Sequence, residues 1–160
     1  MSSTTEPSGP LRVGAPVPGR VLALAEVPDP VFAGGMVGPG LAVDPERGPV
    51  QAVSPVAGRL FKVHPHAFVV LTPDGRGVLV HLGIDTVALK GDGFTRLAAE
   101  GDDVRPGDPV VVWDAAEVER GGRAPSCPVV ALDADPARVT LTSRRPDAVV
   151  AAGDTLFTWT

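Results

Sequence analysis

The sequence predicts an all-β fold, an antiparallel β-sandwich or barrel with a duplicated β motif and one or two short helices. Three observations predict it. First, 19 glycines and 18 prolines in 160 residues leave little room for long helices, because proline removes a helix hydrogen bond and clashes with the preceding turn. Second, the apolar residues, dominated by Val and Leu, come in short runs. Third, turn signals such as Pro73-Asp74-Gly75 and Arg105-Pro106-Gly107-Asp108 separate those runs.

Taken in order, residues 1–10 are small and polar and read as a disordered tail. Residues 11–160 read as one domain, long enough to bury a single core. Strands are expected at Gly19–Ala25, Leu41–Val43, Leu60–Val63, Ala67–Leu71, Val78–Leu82, Pro109–Trp113, Cys127–Leu132 and Thr155–Trp159. One helix signal stands out: Asp114 as cap, Glu117 three residues on, and Gly121 to close about two turns. Two internal echoes suggest the duplication. Pro16-Val17-Pro18-Gly19-Arg20-Val21 returns as Pro55-Val56-Ala57-Gly58-Arg59-Leu60, and Gly107-Asp108-Pro109-Val110 returns as Gly153-Asp154-Thr155-Leu156. Their spacings, 39 and 46 residues, differ, so the chain is not a solenoid array.

Composition excludes several function classes. A formal charge of −5 argues against a surface for nucleic acid or anionic lipid. The single cysteine, Cys127, forms no internal disulfide and suits a reducing compartment; its Val-rich surroundings make it a core residue. The start, MSSTTEPSGP, lacks the basic and apolar regions of a signal peptide. No apolar run approaches the roughly 18 residues of a membrane helix. These features point to a cytoplasmic protein without stable membrane insertion.

The stretch "VLVHLGID", residues 78–85, places an imidazole inside an apolar run. A lone histidine there is ordinarily a hydrogen-bonded core residue. A second histidine changes the reading. If Asp74 and Gly75 form a two-residue turn, Phe68 lies opposite His81 and His66 opposite Gly83. His66 and His81 then share a face as diagonal neighbours, with Cα atoms roughly 7–8 Å apart, unless a one-residue shift of register separates them. Two imidazoles with Asp85 nearby suit either zinc binding, helped by the His64-Pro65-His66 pair, or phosphoryl transfer, with one imidazole as nucleophile and the other as hydrogen-bond donor. Spacing alone does not choose between them.

Resemblance does. "VLVHLGIDTVALKGDGF" (78–94) resembles the signature around the phosphorylated histidine of the glucose-family enzyme IIA components of the bacterial phosphotransferase system. "VPDPVFAGGMVGPGLAVDP" (27–45), "VSPVAGRL" (53–60), "HAF" (66–68) and "EGDDVRPGDPVVVWD" (100–114) are similar to family segments in the same order, over about residues 14–159. The resemblance implies a β-sandwich in which His81 is phosphorylated and His66 stabilises the phosphoryl group. It implies HPr as donor and a cysteine of a separate enzyme IIB chain as acceptor, with no organic cofactor. Regulatory partner proteins are a further possibility it carries.

Transfer between proteins needs a shallow site with an apolar rim. Val31, Phe32, Met36, Val37, Phe68 and Val87 are the expected docking residues. Asp85 is expected to face a cation, a basic residue of a partner, or a structural hydrogen bond. The chain departs from the family pattern before His66, where many relatives carry a Thr that holds the second histidine. Here the segment is Val63-His64-Pro65-His66, and His64 is expected to take over that support. Two other readings use the same residues. One is a lysostaphin-like zinc hydrolase, drawing on the His-x-His pair and His81-x-x-x-Asp85. The other is a mainly regulatory module that reports its phosphorylation state. In a complex, His66 and His81 could also trap a zinc ion between partners.

Overall fold

The computed structural model describes residues 9–142 and 148–160, so residues 1–8 of the expected tail lie outside the described residues. The described chain runs β1 (Leu11–Gly14), β2 (Gly19–Ala23), α1 (Pro30–Ala33), β3 (Gly40–Pro45), β4 (Pro49–Val53), β5 (Gly58–His64), β6 (Ala67–Leu71), β7 (Gly77–His81), β8 (Phe94–Arg96), β9 (Asp103–Val104), β10 (Pro109–Asp114), α2 (Ala115–Arg120), β11 (Cys127–Ala131), β12 (Val139–Leu141), β13 (Val149–Val150) and β14 (Thr155–Trp159). Short 3-10 turns occupy Leu24–Glu26, Thr86–Leu89 and Pro136–Arg138. Each expected strand is present, with ends moved by at most two residues. The strands not foreseen are short or lie beside the longer ones, β9 and β13 being only two residues each.

α2 forms as its caps dictate: the Asp114 carboxylate accepts from the backbone N–H groups of Ala116 and Glu117, and Gly121 ends it. Glu117 pairs with Arg120. α1 is the second of the one or two short helices expected, at a position not foreseen, although its sequence carries the same logic. The Asp29 carboxylate accepts from the Val31 and Phe32 N–H groups, and Pro30 occupies the first turn.

An eight-stranded antiparallel sheet, ordered β13-β2-β3-β11-β7-β6-β5-β9, is joined by two three-stranded sheets, β1-β14-β12 and β4-β10-β8. Among the described residues no sheet closes on itself, so the fold is a sandwich and not the barrel that the sequence left open. The echoes have a structural meaning. Strands β4 to β10 form one unit, inserted between β3 and β11 of a second unit made of β1 to β3 and β11 to β14. The large sheet is palindromic about the β11–β7 pair, and each small sheet belongs to one unit. Hydrogen bonds repeat across the halves: Gly153 N–H to Ala15 O beside Gly107 N–H to Ser54 O, and Ala15 N–H to Asp154 O beside Ser54 N–H to Asp108 O. Gly14 N–H to Pro55 O and Val53 N–H to Pro16 O lace the two units together.

Alternation along β7 decides where its residues go. Val78 and Val80 enter the main core with Phe68, Leu60, Trp113 and Phe157. Leu79 faces the other side of the sheet and packs on a second cluster of Val27, Phe32, Ala42, Ile84 and Val130. His81, two residues on, shares that outer face. The run looked buried on both sides because it is, up to the point where the cover of the outer face ends at His81.

The hairpin register differs by one residue from the expected one. Ala67, not Phe68, lies opposite His81, and Phe68 pairs with Val80. The connection is a five-residue loop, Thr72–Arg76, and not a two-residue turn. Thr72 N–H donates to Arg76 O, and Gly75 N–H to Thr72 O. Asp74 bonds Thr72 Oγ1 and pairs with Arg76, and Arg76 reaches the Trp159 carbonyl at 2.6 Å. Phe68 is therefore fully buried in the main core and is not a docking residue. Phe68→Ala is expected to lower unfolding free energy by about 3–5 kcal/mol in urea denaturation, the cost of a core cavity and not of a lost contact surface.

Candidate functional site

His81 is the last residue of β7, and the backbone leaves the sheet just beyond it. Gly83 adopts φ +82°, and a Cβ there would come within 2.7 Å of Thr86 Cγ2. That conformation turns the Gly83 carbonyl back onto His81, where it meets Nδ1 at 2.6 Å. The turn is held from below: buried Thr86 donates its hydroxyl to Leu82 O at 2.8 Å, and Ile84 N–H donates to Ala124 O at 2.8 Å. A carbonyl only accepts, so Nδ1 carries the proton and Nε2 of the neutral ring keeps its lone pair. Cys127 is buried and its thiol is pushed well up by desolvation, which leaves it inert.

His66 reaches His81 by a different route from the expected one. With the observed register, a strand residue at 66 would face away from His81. β6, however, begins only at Ala67, and Pro65-His66 form the two-residue turn after β5. Freed from strand alternation, the His66 ring lies 5.3 Å from the His81 ring, edge to face at 67°. The His64 ring stacks with that of His66 at 5.6 Å and 22°. The turn is tied to the strand end by Leu82 N–H to His66 O at 2.7 Å. Opposite His81 on the sheet stands Ala67, whose small side chain leaves the imidazole room.

α1 supplies the remaining wall. The Phe32 ring meets His81 edge to face at 5.3 Å and is itself largely buried in the second cluster. Beside it Val31 and Met36 are 44% and 75% exposed, and Val87, on the 3-10 turn after His81, is 62% exposed. Val37 is half-buried against the second cluster. Among the expected docking residues, Val31, Met36 and Val87 thus offer open apolar surface. Phe32 and Val37 support it from beneath, and Phe68 is excluded by burial. Asp85 is exposed in a left-handed conformation at φ 61°. Its backbone carbonyl accepts from Arg123 Nε at 3.2 Å.

Burial holds His81 below its ordinary pKa of 6.5, against the Gly83 hydrogen bond and the charges of Asp29 and Asp85, which favour the cation. His66 is also held below 6.5, first by desolvation and then by repulsion from His81 and His64. Both shifts favour the neutral ring. Sequence reasoning missed Asp29, Gly83, Thr86 and Ala67. Only Asp29 carried a readable signal, the Asp-Pro start of a short helix.

The hydrolase alternative requires His64, His66, His81 and Asp85 to converge on a metal. Among the described residues, no group of three or more His, Cys, Asp or Glu is placed to hold one. The His64 and His66 rings form an offset stack instead. Among the described residues, no helix is long and apolar enough to cross a membrane.

Residues 11–136 match the family described as phosphoenolpyruvate-dependent sugar phosphotransferase system, EIIA 1. A glucose-specific EIIA component of Halalkalibacterium halodurans is 42% identical over 123 residues, 76% of this chain and 70% of the relative. The β-glucoside-specific EIIBCA component of Bacillus subtilis is 41% identical over 126 residues, 77% of this chain but only 20% of that longer protein. Among solved structures, the glucose permease IIA from Mycoplasma capricolum superposes with a TM-score of 0.83 at 31% identity, covering 94% of this chain and 96% of that one. A sandwich of the same architecture, matched in sequence over most of its length, makes this chain a member of the EIIA 1 family of the phosphotransferase system, whose components are phosphohistidine-carrying phosphotransferases.

Proposed function

We propose that this protein accepts a phosphoryl group on His81 Nε2 from the phosphohistidine of HPr and passes it to a cysteine of an EIIB domain. The observation that carries the reading is the state of His81: Nδ1 is held by the Gly83 carbonyl, and among the described residues Nε2 of this partly buried ring has no hydrogen-bond partner and lies beside a second imidazole. In the first step the Nε2 lone pair forms the new N–P bond as the donor's N–P bond breaks and its electron pair returns to the donor ring. In the second, a thiolate forms an S–P bond and the pair returns to Nε2. His66, neutral, donates a ring N–H to the phosphoryl oxygens. The Gly83 carbonyl keeps Nδ1–H bonded throughout and stabilises the positive charge that the ring gains when Nε2 is attached to phosphorus.

Val31, Met36 and Val87 form the apolar surface onto which each partner docks in turn and excludes water from the labile bond. Asp29 and Asp85 place negative charge beside His81 and suit a basic group on the partner. The acceptor assignment is supported by the relative whose name joins EIIB, C and A in one protein. Relatives of similar identity are named for glucose and for β-glucoside, so the sugar is assigned to the partner components. A zinc ion on His66 and His81 would need its remaining ligands from a docked protein.

Incubation with phosphoenolpyruvate, enzyme I and HPr is expected to give one acid-labile phosphate per chain, absent in His81→Ala. Label retained in that variant, or none in the wild type, overturns the assignment. His66→Ala is expected to slow transfer about 10²-fold, the scale of a lost charge-stabilising donor, and stopped-flow mixing with phospho-HPr measures it. Met36→Asp and Val87→Asp are expected to raise the half-saturating phospho-HPr concentration about tenfold, as rim charges do, with unfolding unchanged. NMR titration of the side chains is expected to place the midpoints of His66 and His81 below 6.5, and His81→Ala to move the His66 midpoint upward, because a repelling neighbour is removed.

A further inference from the structure

We propose that His64 is a positioning residue for phosphoryl transfer, acting through the ring of His66, which it braces by offset stacking. The inference rests on the reading of His66 and His81 given above. It deepens that reading by assigning the brace a mechanism, ring against ring and not hydrogen bond.

The backbone of the His66 turn is fixed, but among the described residues no hydrogen bond engages its ring. What the ring meets is two others: His81 at 5.3 Å, edge to face, and His64 at 5.6 Å, stacked. His64 is well placed for this. It is the last residue of β5 and pairs in register with Ala67, so its Cα is set by the sheet. Pro65 stiffens the link to His66, and the loop that follows the site backs it closely: a Cβ on Gly91 would lie 3.2 Å from Pro65 Cγ. His64 itself is exposed and adds nothing to either core. An imidazole that buries little and lies parallel to its neighbour at 22° restricts the rotamers of that neighbour. Without it, His66 would be free to swing toward solvent and away from the oxygens it must meet. The neutral state of His66 favours the stack, since two protonated rings at this separation would repel.

The test compares His64→Ala and His64→Phe in single-turnover transfer from phospho-HPr, together with the ring resonances of His66 in the unphosphorylated protein. In His64→Ala the limiting rate is expected to fall roughly tenfold with half-saturation unchanged, as for a misplaced catalytic group. The His66 ring signals are expected to lose the ring-current shift of the stack. His64→Phe, which keeps a flat face and removes both nitrogens, is expected to restore the limiting rate to within about threefold and to retain a fixed His66 ring. A wild-type limiting rate in His64→Ala overturns the proposal. So does a change confined to half-saturation, which would make His64 a docking residue, or a His64→Phe variant as slow as His64→Ala, which would make the nitrogens essential. If the wild type takes no phosphate on His81, the functional reading fails separately. The resonances then decide: unchanged His66 signals in His64→Ala overturn the brace, and altered signals uphold it.

Discussion

The hydrogen bond between His81 Nδ1 and the Gly83 carbonyl is the interaction on which the site depends, and most of the local structure exists to make it. A histidine at a strand end can rotate, take either tautomer and point either nitrogen outward. A carbonyl two residues later removes that freedom, but only if the chain reverses at once. The reversal needs the left-handed conformation that Gly83 adopts without strain and that a side chain would resist, with Thr86 already in contact range. Thr86 and Ala124 then satisfy the polar groups that the departing chain would leave exposed beneath the site. One bond thus specifies the turn, the glycine and the buried threonine together.

The palindromic sheet explains why the site lies where it does. β7 and β11 meet at the centre of the eight strands, between the two apolar clusters. A residue at the end of a central strand is held by pairing on both sides while standing at the border of the cover. His81 is only partly buried for this reason, and its neighbour Leu79, two residues back, packs on the second cluster. The cover itself comes from α1 and the segment around it, so the short Asp29-capped helix both buries the outer face and supplies the Phe32 edge against His81.

How far this was legible depended on whether local chemistry or tertiary contact decided the matter. The long strands and α2 were readable because turn residues and caps act over a few positions. The hairpin register was not. Asp74-Gly75 signals a tight turn, but Thr72 and Arg76 close a longer loop, and Arg76 does so partly by reaching the Trp159 carbonyl, 83 residues away. The shift moves Phe68 into the core and would have separated the two histidines had His66 stood on a strand. They meet because the turn begins one residue earlier than alternation assumed, at Pro65. The outer-face burial of β7 was hidden for a different reason: an apolar run reads the same whichever cluster covers it, and only a partner distant in sequence, such as Phe32, reveals the second face.

A phosphoryl carrier has to hold its cargo neither too weakly to accept it nor too tightly to release it, and the surroundings of His81 act on that balance in opposite directions. Attaching phosphorus to Nε2 while Nδ1 keeps its proton places positive charge on the ring, as protonation does. Groups that alter the proton affinity therefore alter phosphoryl affinity in the same sense. Desolvation disfavours the charged ring and so favours release, while the Gly83 carbonyl and the negative charges of Asp29 and Asp85 favour it and so favour retention. Each pKa unit is worth about 1.4 kcal/mol, so modest changes in either direction shift the transfer equilibrium severalfold. On the proposed reading a docked partner changes both at once: it removes water from the rim and brings its own charges to the two aspartates, so the protein seated on Val31, Met36 and Val87 would decide which way the phosphoryl group moves.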